Sequence, residues 1–282
     1  MMNSKDQFPL RIMCKAMRVS ESGYHSWRCR PISGRENDNL RLVQLIEKIH
    51  KGSHKTYGSP RIHAVLGGIG EECSQNRVVR LMQRHGIRAK TKKKFKATTN
   101  SKHNMPVAPN ILNRDFTPSS PNKAWAGDIT YVWTREGWLY LAVVLDLFSR
   151  KVVGWSMDST LSRDLVAHAL KMAMRARQPR AGLVSHSDRG SQYASKDFQS
   201  LLKLYEMVCS MSRKGNCWDN SVVESFFGTI KQDHVYFCDD ATREEAIRSI
   251  FEWTHGWYNR ERIHSFRGNM SPEAYERESL TA

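Results

Sequence analysis

WAGDITYVWT (125–134), GWLYLAVVLDLFSR (137–150) and KVVGWSMD (151–158) are dense in Val, Ile, Leu, Tyr and Trp and are separated only by short turns. β-Branched and aromatic residues suit a pleated, half-buried surface, so this run predicts three consecutive antiparallel strands. The residues beyond it change period. SRDLVAHALKMAMRAR (162–177) is predicted helical, because Leu165, Val166, Ala169, Leu170 and Ala173 recur at helical spacing. GLVSHSD (182–188) reads as a short buried strand, ASKDFQSLLKLYE (194–206) as a helix and MVCSMS (207–212) as a strand. NSVVESFFGTIKQD (220–233) is a helix, and helices continue through REEAIRSIFEWTHGWYN (243–259). Antiparallel strands followed by alternating helix and strand predict a mixed α/β layer fold.

Upstream the chain is helical and basic. RIMCKAM (11–17), SESGYHSWRCR (20–30) and the segment 37–50 carry helical patterns; in the last, Leu40, Val43, Leu45, Ile46 and Ile49 form the apolar side. SPRIHAVLGG (59–68) ends in two glycines, a helix stop. SQNRVVRLMQRHGI (74–87) then opens on Ser74 as an N-cap. Arg77, Arg80 and Arg84 lie three or four residues apart on one face of this second helix, the layout of a helix-turn-helix whose second helix enters the major groove. The run KTKKKFK (90–96) and four prolines up to Pro121 disfavour a packed core and read as a linker, with Lys92, Lys93 and Lys94 placed to touch phosphates. The expected organisation is a helical region at 1–55, a helix-turn-helix module at 56–89, a basic linker at 90–122, and the α/β half with its C-terminal helices at 123–278.

Charge divides along the same line. Residues 1–122 hold 23 Lys and Arg against 8 Asp and Glu, whereas residues 123–282 hold 21 against 20. Nearly all of the net +16 therefore sits in the helical half. Concentrated positive charge supplies sequence-independent affinity for a polyanion, which favours nucleic acid. No stretch approaches the ~18–20 apolar residues that a membrane span needs, and the N-terminus lacks the apolar core of a signal peptide. The six cysteines form no CxxC pair, so neither a zinc ribbon nor a disulfide framework is indicated. Free thiols in a cytoplasmic protein are expected.

Three acidic residues carry the chemistry. Asp128 lies mid-strand among apolar and aromatic neighbours, where a carboxylate is costly unless paired or bound to a cation. Asp188 ends the strand 182–188, and sites assemble at carboxyl ends of strands in α/β sheets. Glu224 sits near the start of a helix, 36 positions after Asp188. Convergent oxygen ligands without a His or Cys cluster select Mg²⁺ or Mn²⁺ over zinc. Each residue also has a plainer reading. Asp128 fits a strand-end turn, Asp188 an Asx-turn, and Ser221 with Glu224 a capping box. Asp146 reads as structural, His186 as a packed histidine, and Trp218 as core. Lys231, two helical turns beyond Glu224 on the same face, is expected to contact a phosphate, and Gly228 between them leaves room for a DNA backbone. Arg213 and Lys214, in the loop SRKGN, are further expected DNA contacts.

WAGDITYV around Asp128, HSDRGSQY around Asp188 and MSRKGNCWDNSVVESFFGTIK around Glu224 resemble the DDE transposases of bacterial insertion sequences. The likeness is to the OrfB product of the insertion-sequence-three family, related to retroviral integrases, and the 35 residues between Asp188 and Glu224 match that family's spacing. HKTYGSPRIHAVL resembles the family's helix-turn-helix, and YNRERIHSFRGNMSPEAYE its C-terminal end, with Ile263 where a proline is usual. The resemblance implies an RNase H-like fold and a polynucleotidyl transferase that uses two Mg²⁺ ions, with Mn²⁺ able to substitute. Asp128, Asp188 and Glu224 would be the metal ligands for cleavage at insertion-sequence ends and strand transfer. It also implies terminal repeats and target DNA as partners, an OrfA partner or OrfA–OrfB fusion, a homo-oligomer on DNA, and a nucleoid-associated place in the bacterial cytoplasm. A simple RNase H-like nuclease would share the acidic site but leave the basic half unexplained. A DNA-binding regulator with a spent catalytic domain would not need all three carboxylates.

Overall fold

A computed structural model of the chain describes residues 7–90, 106–214 and 216–281, without the side chain of Cys217. Lys92, Lys93 and Lys94 lie outside the described residues.

Five helices come first: α1 (Leu10–Met17), α2 (Glu21–Arg28), α3 (Gly34–Gly52), α4 (Ser59–Gly68) and α5 (Gln75–Arg84). Serine side chains at Ser20, Ser33 and Ser74 accept the first free backbone N–H groups of α2, α3 and α5, as the sequence of α5 predicts. Leu42, Val43 and Ile46 of α3 pack with Ile62 and Leu66 of α4 and with Val78, Leu81 and Met82 of α5.

The second half is a five-stranded mixed sheet in the order β3-β2-β1-β4-β5, formed by β1 (Ala124–Thr134), β2 (Gly137–Asp146), β3 (Val152–Asp158), β4 (Val184–Ser187) and β5 (Val208–Met211). The first three strands are antiparallel neighbours, whereas β1–β4 and β4–β5 pair in parallel. Two helices, α6 (Arg163–Arg177) and α7 (Lys196–Leu204), supply the crossovers. They bury Leu165, Val166, Ala169, Leu170, Phe198 and Leu202 in a core shared with Trp125 and Val153. The opposite face packs against α8 (Ser221–Asp233), α9 (Arg243–Phe251) and the π-helical stretch Glu252–Tyr258, and α10 (Pro272–Thr281) closes the chain. This is the mixed, helix-flanked sheet behind an all-helical region that the sequence predicts.

β3 and α6 approach so closely at Gly154 that a Cβ there would lie 2.8 Å from the Ala173 Cβ and overlap the Ala169 carbonyl oxygen. A backbone cannot yield as a flexible side chain can. Gly154→Ala is therefore expected to cost about 3 kcal/mol, read as a lower urea midpoint with unchanged slope; a loss under 1 kcal/mol would mean that the two elements pack less tightly.

The helical and sheet halves share one continuous core rather than meeting only through a linker. Tyr57, ahead of α4, packs on Trp257, and its hydroxyl accepts the Ile263 backbone N–H at 2.9 Å. A proline at 263 would have no such donor. The residue that departs from the expected pattern thus adds one backbone bond between the helical half and the C-terminal segment.

Candidate active site

The parallel pairing of β1 with β4 sets Gly127 opposite Ser187. One residue further along each strand stand Asp128 and Asp188, so both carboxylates emerge side by side, on strands about 4.8 Å apart. Each is oriented by its own backbone. The Ile129 N–H donates to Asp128 Oδ1 at 2.8 Å, and the Gly190 N–H donates to Asp188 Oδ1 at 2.8 Å. Gly190 is needed for the second bond, since a Cβ there would lie 2.9 Å from the same oxygen.

Glu224 comes from the first turn of α8. The capping box read from Ser221 and Glu224 does not form: the N-cap is Asn220, and no side chain caps the helix. Ser221 is already inside the helix, so its hydroxyl does not face the free N–H groups. The buried Asn220 amide instead donates to the Gly127 carbonyl at 3.4 Å, tying the start of α8 to β1 beside Asp128. Glu224 is left exposed at the edge of the cleft.

Electrostatics report how near these groups are. Burial, followed by the charges of Asp188 and Glu224, pushes the Asp128 carboxyl well above the ordinary carboxylate range, although one edge of the residue still reaches solvent. Burial and then Asp188 raise Glu224. Lys231 is half-buried on the same stripe of α8; burial lowers its ammonium and Asp128 opposes that. It therefore faces the carboxylates as well as the cleft. The three acids repel one another without being drawn to ligand-to-ligand spacing, and among the described residues no three His, Cys, Asp or Glu side chains gather into a metal cluster. A mutually repelling set of carboxylates is nevertheless a donor set that a hard divalent cation neutralises.

Tyr193 was not singled out in the sequence. Its hydroxyl lies 3.4 Å from the position of a Cβ on Gly127, and burial with the nearby Asp128 and Asp188 pushes its phenol well up. Its place five residues after Asp188, inside HSDRGSQY, was the available signal.

The remaining expected residues separate. Asp146 is structural: fully buried, it accepts the backbone N–H groups of Asn122 and Phe148, each at 2.8 Å. Arg213 binds the buried Asp219 through Nε and Nη2 at 2.9 and 2.8 Å, while Lys214 is exposed. On α5, Arg77 pairs with Asp38 at 2.7 Å and Arg84 with Glu36 at 2.9 Å, both on α3. Arg80 is exposed and, among the described residues, has no acidic partner. The Arg84 pair is exposed and therefore weak, so Arg84 can still exchange partners, whereas Arg77 is half-buried and also held by the Asn39 side chain. Trp218 is not core but 68% exposed. It stands in the short 3-10 turn Cys217–Asn220, which directs Asp219 and Asn220 inward and leaves the indole outside.

His186 is packed, as expected, between the hydroxyls of Ser210 at 2.9 Å and Ser212 at 3.2 Å. Burial pulls its imidazole down to about 4 from an ordinary 6.5. A depressed folded-state value means that the unfolded chain takes up the proton first. The stabilisation is thus present above pH 6.5 and lost as pH falls towards 4. His186→Gln is expected to flatten the fall in urea stability between pH 7 and pH 4.5 by on the order of 2 kcal/mol; an unchanged slope would show that this imidazole does not titrate in that window.

Comparison with known proteins fits this geometry. Two integrase core domain families match residues 118–217 and 205–272, and an HTH-like domain family matches residues 36–95, taking in α3 as well as α4 and α5. An integrase core whose strand ends carry converging carboxylates, joined to an HTH-like unit, defines a polynucleotidyl transferase of the transposase and integrase class. The chain is 43% identical over 263 residues to the insertion element IS600 uncharacterized 31 kDa protein of Shigella sonnei, covering 93% of this chain and 97% of that one. It is 40% identical over 276 residues to the transposase InsF for insertion sequence IS3A of Escherichia coli K12, covering 97% and 96%. The chain belongs to the IS3 family of insertion-sequence transposases. A simian T-cell lymphotropic virus intasome solved with a PP2A regulatory subunit aligns over 82% of this chain and 74% of that one, at 18% identity and a TM-score of 0.48. No helix among the described residues is long and apolar enough to cross a membrane.

Proposed function

We propose that Asp128, Asp188 and Glu224 are the catalytic, metal-binding carboxylates of a transposase that cuts the ends of its insertion sequence and joins them to target DNA. The observation that supports this most is that Asp128 and Asp188 each directly follow the last paired position of β1 and β4, Gly127 and Ser187, with Glu224 near enough to add to the rise of Asp128. Mg²⁺, with Mn²⁺ as a substitute, fits an all-carboxylate donor set. A pair of such ions, when bound, supplies Lewis-acid activation of the attacking oxygen and stabilisation of the leaving one.

The chain's own residues do the positioning. The backbone bonds from Ile129 and Gly190 each fix one oxygen of Asp128 and Asp188 and so orient the two carboxylates. Glu224, exposed on the first turn of α8, would complete the set. Gly228 has open space around its Cα, so a DNA backbone can lie against α8 between Glu224 and Lys231. Lys231 then meets a phosphate beside the reacting one, and Lys214 and Arg80 extend the contact along the DNA. An OrfA partner and a homo-oligomer fit this reading, since two ends must be cut together.

The test is a joining assay with full-length chain, with and without OrfA, on pre-cut duplexes carrying the element's terminal repeats. Joined products in Mg²⁺ or Mn²⁺, but not in EDTA, are expected. Hydrolysis without joining under every condition would instead make the protein a nuclease.

A further inference from the structure

A second cluster lies on a neighbouring face of α8. Ser221, Ser225 and Thr229 form a stripe along that helix, offset from the stripe of Glu224, Gly228 and Lys231, and line a cavity of about 380 Å³. Its remaining wall draws on three separate parts of the chain: Arg61 from α4, Arg150 from the turn between β2 and β3, and Arg262 and His264 from the C-terminal segment.

The cluster is short of negative charge. Arg262, 4% exposed, donates through Nε to Asp233 at 3.0 Å. Among the described residues neither Arg61 nor Arg150 has a carboxylate partner. Arg150 gives Nη2 to the Phe116 carbonyl at 2.9 Å, but its Nη1 is buried with no hydrogen-bond partner, and so is His264 Nε2. Burial and then Arg267 pull the Arg150 guanidinium down to about 10. Burial and the surrounding arginines Arg262, Arg61, Arg150 and Arg267 hold His264 down at about 3. Half-buried Arg61 and Arg150, near a third guanidinium and without a carboxylate partner of their own among the described residues, are costly to hold there, and an orphaned guanidinium N–H adds to that. An anion in the cavity would meet both deficits.

Donors converge here from several directions, as guanidinium forks and as hydroxyls, which suits an anion with several oxygens better than a spherical halide. The mouth adds a further feature. Phe266 is 57% exposed, with the Arg150 and Arg267 guanidinium carbons 4.9 and 4.4 Å from its ring centroid. An exposed aromatic ring beside two guanidinium groups is the kind of side chain on which a nucleobase can stack.

We propose that this cavity binds a phosphate group, held by Arg61, Arg150 and the hydroxyls of Ser225 and Thr229. Ser225 follows Glu224 directly and is turned about 100° around α8 from it, so the site flanks the face of the helix that carries Glu224. A phosphate of a DNA strand crossing α8 and a free phosphate offer the same chemistry, and Phe266 favours the first. Because Arg61 belongs to the HTH-like half and Arg150 to the sheet, an occupied site clamps the two together.

The test uses the full-length chain in EDTA, so its failure would leave the carboxylate site untouched. Inorganic phosphate is titrated at constant ionic strength against chloride, with the His264 imidazole resonances and the unfolding midpoint as readouts. Saturable binding that shifts His264 is expected, weakened about tenfold in Arg150→Gln and in Arg61→Gln, roughly one charge-assisted hydrogen bond each. Should either variant fold poorly, Thr229→Val reads the same loss through a neutral change. A short duplex titrated in the same way identifies the source. If it shifts His264 and competes with phosphate, the ligand is DNA backbone; if only inorganic phosphate acts, the site stands as a free-anion site. Equal shifts from chloride, or no His264 shift with either probe, would overturn the proposal.

Discussion

Asp188→Asn is expected to lower strand cleavage and joining by on the order of 10³-fold or more while duplex binding is retained. The amide keeps an oxygen for the Gly190 N–H, so the turn that presents residue 188 stays formed. What is lost is charge at the position where, on the proposed function, a divalent cation would be held. The same substitution removes a charge that repels Asp128 and Glu224, so stability in EDTA is expected to equal or exceed that of the parent chain. Glu224→Gln is expected to behave alike. Loss of activity together with a lower urea midpoint would point to a structural role, and retained activity would remove Asp188 from the catalytic set.

Asp219→Ala is expected to cost about 3 kcal/mol of stability. The side chain is wholly buried and accepts from the Arg213 backbone N–H at 2.9 Å, from both arms of its guanidinium, from Arg114 Nε at 2.8 Å and from Asn110 Nδ2 at 2.9 Å. These bonds hold the segment arriving before β1 against the turn that leads into α8. Arg114 and Arg213 are each about half exposed and can return to water, which keeps the cost at the low end of that for a broken buried pair. The start of α8 would loosen as well, so joining activity should fall with stability even though Asp219 touches no reacting group. A urea midpoint within 1 kcal/mol of the parent would show that the two arginines and the amide hold the turn without it.

Both predictions turn on residues of different legibility. Asp128 and Asp188 could be read from sequence because a carboxylate inside an apolar strand, or at its carboxyl end, contradicts its surroundings. The sheet was legible for a related reason: period and side-chain type are local properties. Glu224 was ambiguous, since a capping box and a metal ligand share one spacing, and only the distant bond from Asn220 to Gly127 separates them. Asp219 left no local trace, because its partners are contributed from as far away as residue 110. The same limit applies to Arg77, Arg84 and Arg213. A basic face on a helix looks alike whether it meets DNA or acidic side chains of α3, and an arginine in a loop does not announce a buried aspartate six residues on. Trp218 misled for the opposite reason, as aromatic bulk suggests core until the turn geometry places it outside.

The central claim is that Asp128, Asp188 and Glu224 together hold divalent ions. Anomalous diffraction from crystals of the full-length chain soaked in Mn²⁺ tests it directly. Two Mn²⁺ peaks about 3.5–4 Å apart, held among Asp128, Asp188 and an inward-turned Glu224, are expected. Peaks elsewhere, or a saturated crystal in which Glu224 stays turned to solvent and the aspartates bind nothing, would contradict it.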